Sequence, residues 1–179
     1  MKTKILTMLM ILILIMSCGS GKGVDKKIDL TKINSIIESG IVFIDSDFAS
    51  PQNAAQIANL NLLPVGNNSG NISLIGNHNY FNIIGDSLSI KLPYYGEHQI
   101  GGGYNPDGVG INFDGKAEVF RHTFNTKKNK HEFYIEVKNS TETFQIRVDI
   151  RPNLKTEIGV NSNQRTFISY RGNVIEEQP

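Results

Sequence analysis

The sequence is poor in cysteine and has no surplus of either charge. A single cysteine in 179 residues rules out an internal disulfide and a cysteine-built zinc cluster. Eighteen Lys and Arg face 17 Asp and Glu, which argues against a dedicated nucleic-acid binder, whose surface is clearly basic. Long apolar runs are missing too. The longest, residues 5–16, has 12 residues and includes Thr7, where a membrane-spanning helix needs about 20. Marks of catalysis are equally scarce. There is no His-Glu-x-x-His and no Gly-x-Ser-x-Gly, and His78, His98, His122 and His131 show no metal-ligand spacing. Hydrophobic residues at 39% and charged ones at 20% nevertheless exclude wholesale disorder, and the length suits one domain.

What is present begins with an address. Lys2 and Lys4 ahead of the apolar run form the first two regions of a secretory signal. The run ends at Ile15-Met16-Ser17-Cys18, which resembles the lipobox of bacterial lipoproteins, and the only cysteine falls at the position that motif needs. The resemblance implies that Cys18 is lipidated and that residues 1–17 are removed as a signal peptide. Residues 18–27 then form the lipidated cysteine and a glycine-rich tether, and residues 28–179 a single domain. Gly19, rather than aspartate, follows the cysteine. By the sorting pattern of such lipoproteins this implies the outer membrane, on its periplasmic face.

Past the tether, Leu30, Ile33, Ile36 and Ile37 recur at helical spacing, Asp29 or Thr31 can cap them, and Gly40 stops them. One short helix is expected, covering an end or edge of the fold. Strand patterns follow at residues 41–44, 72–75, 80–84 and 87–92, with Gly85-Asp86 as a hairpin turn. Residues 52–62 could add a helical turn. From Ile111 to Tyr170 the chain alternates almost without pause. The expected fold is mainly β: an antiparallel meander of about eight strands closing into a lipocalin-like β-barrel, with one N-terminal α-helix. The alternative is a two-sheet β-sandwich. An open sheet would leave exposed edges, which proteins usually avoid.

Charge predicts a register for the C-terminal hairpins. With Asn139-Ser140 as a two-residue turn, Ile135 faces Phe144, Glu132 faces Arg147 and Lys130 faces Asp149. With Arg151-Pro152-Asn153 as a three-residue turn, Arg147 faces Glu157 and Asp149 faces Lys155. Slipping the first pairing by two residues would set Glu132 against Asp149, a like-charge pair. These charges read as a solvated sheet face.

Chemistry has few candidates. Leu92-Pro93-Tyr94-Tyr95-Gly96 leads into a glycine-rich loop carrying Tyr104. Tyr94, Tyr95 and Tyr104 form a candidate ligand rim, either a binding mouth or a packed corner closing the open end. Gly101-Gly102-Gly103 lacks the helix start and Lys-Ser/Thr of a phosphate loop. Asn105, Asp107, Asn112 and Asp114 are oxygen donors without calcium-loop spacing. Asp45 and Asp47 can share a face, but nothing else marks them as a catalytic pair. His122 and His131 alternate with phenylalanines, which predicts two buried, hydrogen-bonded interior histidines. Asp86-Ser87-Leu88 resembles a short O-glycosylation signal and equally a plain hairpin start.

Several stretches together are similar to one family. They are the lipobox, the Glu-Ser-Gly before Ile41-Val42-Phe43-Ile44, Gly85-Asp86-Ser87-Leu88, Leu92-Pro93-Tyr94-Tyr95-Gly96, residues 110–115, and Ile168-Ser169-Tyr170-Arg171-Gly172. The chain resembles the bacterial lipoproteins of the domain-of-unknown-function 4251 family from about Ile33 onwards, and it is longer than their pattern between Ala54 and Asn71. The resemblance implies a lipocalin-type barrel and carries over no catalytic residue. The functional expectation is a membrane-anchored, non-enzymatic module for a small apolar or amphipathic ligand. The alternative is a structural or protein-interaction lipoprotein with a packed core. No cofactor, metal or nucleic acid is expected. The partners are the membrane, through the lipid on Cys18, and a small ligand or an envelope protein.

Overall fold

The computed structural model describes residues 30–52, 70–97, 110–139 and 142–176. The leader, Cys18, the tether, nearly all of the possible helical turn over 52–62, Gly101-Gly102-Gly103, Tyr104, Asn105, Asp107 and His98 lie outside the described residues. A helix, α1 (Thr31–Glu38), precedes ten strands: β1 (Ile41–Pro51), β2 (Ile72–Ser73), β3 (Tyr80–Ile84), β4 (Ser87–Leu92), β5 (Ile111–Lys116), β6 (Val119–Asn125), β7 (Lys130–Asn139), β8 (Glu142–Ile150), β9 (Lys155–Ser162) and β10 (Ile168–Ile175). They form one antiparallel sheet in the order β5-β4-β3-β1-β10-β9-β8-β7-β6, with β2 beside the far half of β1.

Neither the closed lipocalin-like barrel nor the two-sheet sandwich is formed. The single sheet curls about 258° and stays open, its edges 9 Å apart. Hydrogen-bonded strands lie about 4.8 Å apart, so these edges do not pair. The cause is parity. Nine strands of alternating direction lie along the path, so the two edge strands, β5 and β6, point the same way. Closing the circle would need a parallel pair, and parallel neighbours need a crossover of a dozen residues or more. Only Ala117 and Glu118 join β5 to β6. The chain instead changes sides between these two residues: the Ala117 N–H donates to the Asp86 carbonyl, and the Glu118 N–H to the Glu136 carbonyl. One described side-chain bond spans the gap, Asn139 Nδ2 to the Asn112 carbonyl at 3.1 Å.

Strand alternation sets the core. Val42 and Ile44, Phe81 and Ile83, Leu88 and Ile90, Ile135 and Val137, Ile146 and Val148, and Ile158 and Val160 all point inward and are buried. Helix α1 covers one end of the curl, with Ile33 fully buried. No side chain caps its N-terminus, and Gly40 leaves it at φ +72°. The antiparallel order also gathers the turns at 85–86, 126–129 and 151–154 at this helix end. The strand ends flanking residues 53–69, 98–109 and 140–141 lie at the opposite end.

β1 is far longer than its apolar start suggests, because it bends at a bulge between Ser46 and Phe48. Two contacts hold the bend. Between the stretches paired with β3 and β2, the Asn79 side chain stands in for a neighbouring peptide. Its Oδ1 accepts from the Ser46 N–H at 3.1 Å and its Nδ2 donates to the Ser46 carbonyl at 3.0 Å. On the other side Gly172 pairs with Ser46, where a Cβ would stand 1.9 Å from the Asp45 carbonyl oxygen.

The hairpin registers differ from the charge-based ones by two residues. Glu132 faces Asp149, Phe133 faces Val148 and Ile135 faces Ile146, and Asn139 pairs with Glu142 instead of standing in the turn. Likewise Asp149 faces Glu157 and Ile150 faces Thr156. The second turn runs from Arg151 to Lys155, with Leu154 at φ +63°. A two-residue slip leaves every inward residue inward, so burial does not oppose it. The like charges are tolerated because Lys130 lies between them. Its ammonium is 2.9 Å from Glu132 Oε1 and also pairs with Asp149, and its side chain is only 11% exposed. The observed register also sets Phe144 opposite Val137 and Phe133 opposite Val148, large against small.

Candidate functional site

The tyrosine corner forms at the end opposite the helix. Tyr94 is 7% exposed, and its hydroxyl lies 2.9 Å from the Thr166 carbonyl and 3.0 Å from Thr166 Oγ1. The Arg165 guanidinium sits 5.1 Å from the centre of its ring. Arg165 is itself buried and grips Glu142 with two bonds, Nε to Oε1 at 2.7 Å and a terminal nitrogen to Oε2 at 2.9 Å. Beneath it the Tyr170 hydroxyl donates to the Pro93 carbonyl at 2.8 Å. Burial pushes the Tyr94, Tyr95 and Tyr170 hydroxyls above the ordinary tyrosine range, so all three stay neutral. Tyr94 and Tyr95 therefore pack in a corner, Tyr95 half-buried.

The two histidines meet, but on different terms than expected. His131 is 6% exposed, with its Nε2 3.1 Å from Asn34 Oδ1 on α1 and its Nδ1 2.9 Å from His122 Nε2. His122 is exposed rather than buried, because β6 is an edge strand with no neighbour on its far side. Partial loss of water contact lowers the pKa of both rings, and His122 adds to the lowering at His131. The contacts tie α1 to the sheet.

Asp45 and Asp47 lie beside the β1 bulge. Burial raises the Asp45 pKa first, then the nearby Asp47, while His78 opposes the shift. Asp47 accepts from Asn173 Nδ2 at 2.8 Å. Among the described residues no cluster of three or more His, Cys, Asp or Glu could hold a metal ion.

A concavity absent from the sequence reading lies on the outer face of β6 to β10. It encloses about 540 Å³ and is lined by Arg121, Tyr134, Arg147, Gly159 and Phe167, among others. The true register builds it: Arg121, Tyr134, Arg147 and Gly159 stand in one row across four strands. Gly159 supplies no side chain, and the Phe167 ring lies against the strand there, 3.2 Å from where a Cβ would be. The carboxylates of the next row already hold cations. Lys130 is on Glu132 and Asp149, and Arg151 is 3.4 Å from Glu157. Arg121 stacks 5.7 Å from the Tyr134 ring. Neither Arg121 nor Arg147 forms an ion pair with a described residue. In the expected register Arg147 faced both Glu132 and Glu157, which hid the row.

The sequence pattern of the family described as Domain of unknown function (DUF4251) matches residues 26–174. The chain belongs to the DUF4251 family. Its fold is similar to the crystal structure of a DUF4251 family protein from Bacteroides eggerthii. The TM-score is 0.55 at 10% identity, over 79% of this chain and 83% of that one. At that identity the likeness of the two DUF4251 chains shows the fold alone. No curated protein matches.

Proposed function

We propose that this DUF4251 chain is a bacterial envelope lipoprotein, anchored through Cys18, that works as a non-enzymatic binding protein by its outer face rather than its interior. Residues 1–17 are the removed leader, 18–27 the lipidated tether and 28–179 the exported domain, at the outer membrane and on its periplasmic side. The observation that carries the reading is the outer groove. Two guanidiniums that form no ion pair with a described carboxylate flank the Tyr134 ring, although Glu132, Asp149 and Glu157 also line the groove. Arginine forks suit carboxylate or phosphate oxygens, and the flanking rings add apolar area. The volume falls in the range of small-molecule sites, about 300–1,000 Å³. The inward faces of the strands, by contrast, carry large packed side chains, and the Tyr94 hydroxyl is satisfied within the protein. This supports a closed corner over ligand entry past Tyr94 and Tyr95.

The test is a photo-reactive amino acid placed in living cells at Thr123 or Asn161, which line the groove, and at Tyr95. The reading expects a defined adduct from the groove positions and none from Tyr95. Adducts from Tyr95 alone would restore the interior-ligand reading. Separately, a Cys18→Ala chain should lose acyl labelling and become soluble, and retained labelling would remove the anchor.

A further inference from the structure

Three features of the helix end of the sheet point to one occupant. The first is exposed apolar surface. Ile41 and Ile84 are cross-strand neighbours on the outer face, at 46% and 49% exposure. Beside them Ile36, Phe43 and Ile175 line a hollow of about 680 Å³. The second is position. The chain leading from Cys18 enters the described structure at Leu30, and the next residue, Thr31, itself lines this hollow. The 12 residues after Cys18 up to Leu30 reach at most about 40 Å. The third is charge. Lys127 and Lys128 in the β6–β7 turn and Lys155 after the β8–β9 turn are exposed and form no ion pair with a described residue. Lys32, Lys116 and Arg151 at the same end are matched by Glu176, Asp86 and Glu157. Against these lysines stand Glu38, at the last turn of α1, and the Glu132–Asp149 pair, which shares one ammonium, Lys130, and feels the charge of Lys128.

From these we infer that the helix end of the domain seats on the phospholipid bilayer that holds the Cys18 acyl chains. Ile41 and Ile84 enter the interface, and the lysine turns face anionic headgroups. The inference rests on the lipoprotein reading above. A basic patch and an apolar patch are each weak membrane signals alone, and they act strongly when an anchor already holds the protein there. The seat fixes an orientation. The Arg165–Glu142 corner points away from the membrane, and the outer groove faces sideways into the aqueous space.

The chain has no tryptophan, so a single introduced one reports its own surroundings. Full-length lipidated protein carrying Ile41→Trp, Ile84→Trp or Lys138→Trp would be reconstituted in vesicles of brominated phosphatidylethanolamine and phosphatidylglycerol. Lys138 lies at the end of β7 away from the helix. The inference expects several-fold quenching for Ile41→Trp and Ile84→Trp and little for Lys138→Trp. It also expects weaker quenching when Lys127→Glu and Lys128→Glu are added. Intact mass of the same samples reports the acyl groups. Acyl mass with equal or absent quenching at all three positions overturns the bilayer seat alone. No acyl mass and no quenching overturns the seat and the anchor together. Quenching at Ile41→Trp and Ile84→Trp without acyl mass supports the seat and removes the anchor.

Discussion

Replacing Gly172 by alanine tests the bend that lets β1 serve as the spine of the sheet. The added Cβ would stand 1.9 Å from the Asp45 carbonyl oxygen and 2.7 Å from the Ser46 Cα. Relaxed contact needs roughly 3.5 Å, so β1 and β10 must part by about 1.5 Å at their centre. Both contacting atoms belong to backbone, which cannot swing aside. Overpacking of this kind costs about 1–3 kcal/mol. Parting the strands also loosens the ladder beside the Ser46–Gly172 pair, at about 1 kcal/mol per hydrogen bond. The expected loss is about 3–4 kcal/mol, a large share of the roughly 5–15 kcal/mol that holds a domain folded. For a domain of this size it should lower Tm by roughly 10 °C. Gly159→Ala is the control. Its Cβ meets a Phe167 ring carbon at 3.2 Å, and a ring can turn. That variant should stay within about 1 kcal/mol of the parent. Urea unfolding followed by far-ultraviolet circular dichroism gives both numbers. A Gly172→Ala chain no weaker than Gly159→Ala would refute the close approach at the bulge.

The histidine link makes stability pH-dependent. Desolvation lowers the folded pKa of His122 and His131, so the unfolded chain binds their protons more tightly. Stability is therefore full above the ordinary histidine value of about 6.5 and falls as pH drops through the lowered values. Urea midpoints should be lower at mildly acidic than at neutral pH, with the difference reduced in His131→Gln; equal midpoints would contradict the assignment. Arg165→Met should cost about 3–5 kcal/mol, because Glu142 is left buried without its partner, while Arg165→Met with Glu142→Leu should recover much of the loss. Thermal melts of the three chains decide it, and a single variant as stable as the double would remove the ion pair from the corner.

Local structure was legible where one pattern had one meaning. β3, β4 and the Gly85-Asp86 turn stand where alternation and turn chemistry place them, with Gly85 at φ +63°. The helix and the wet and dry faces of β7 to β9 follow from spacing in the same way. What sequence left open was what depends on counting and on distant partners. The stretch 111–125 alternates throughout, so nothing announces that it changes neighbours at Ala117, and that change leaves an odd number of strands and an open curl. The apolar pattern of β1 stops early because Asp45, Ser46 and Asp47 break it at the bulge. Register failed because cross-strand charge pairs contribute only about 0.2–1 kcal/mol and one lysine can bridge two carboxylates. That error also concealed the arginine row. His122 was misplaced for the same reason as the barrel: an inward-facing residue is buried only if the sheet goes on past it.

We propose that the outer groove, not the interior, carries the function. Native mass spectrometry of the protein drawn gently from its own envelope tests it most directly, comparing the parent with Arg121→Ala/Arg147→Ala and with Tyr95→Ala. A groove ligand should give a reproducible bound mass that is lost in the arginine variant and kept in the tyrosine one. A bound mass that survives loss of both arginines and disappears with Tyr95 would contradict it.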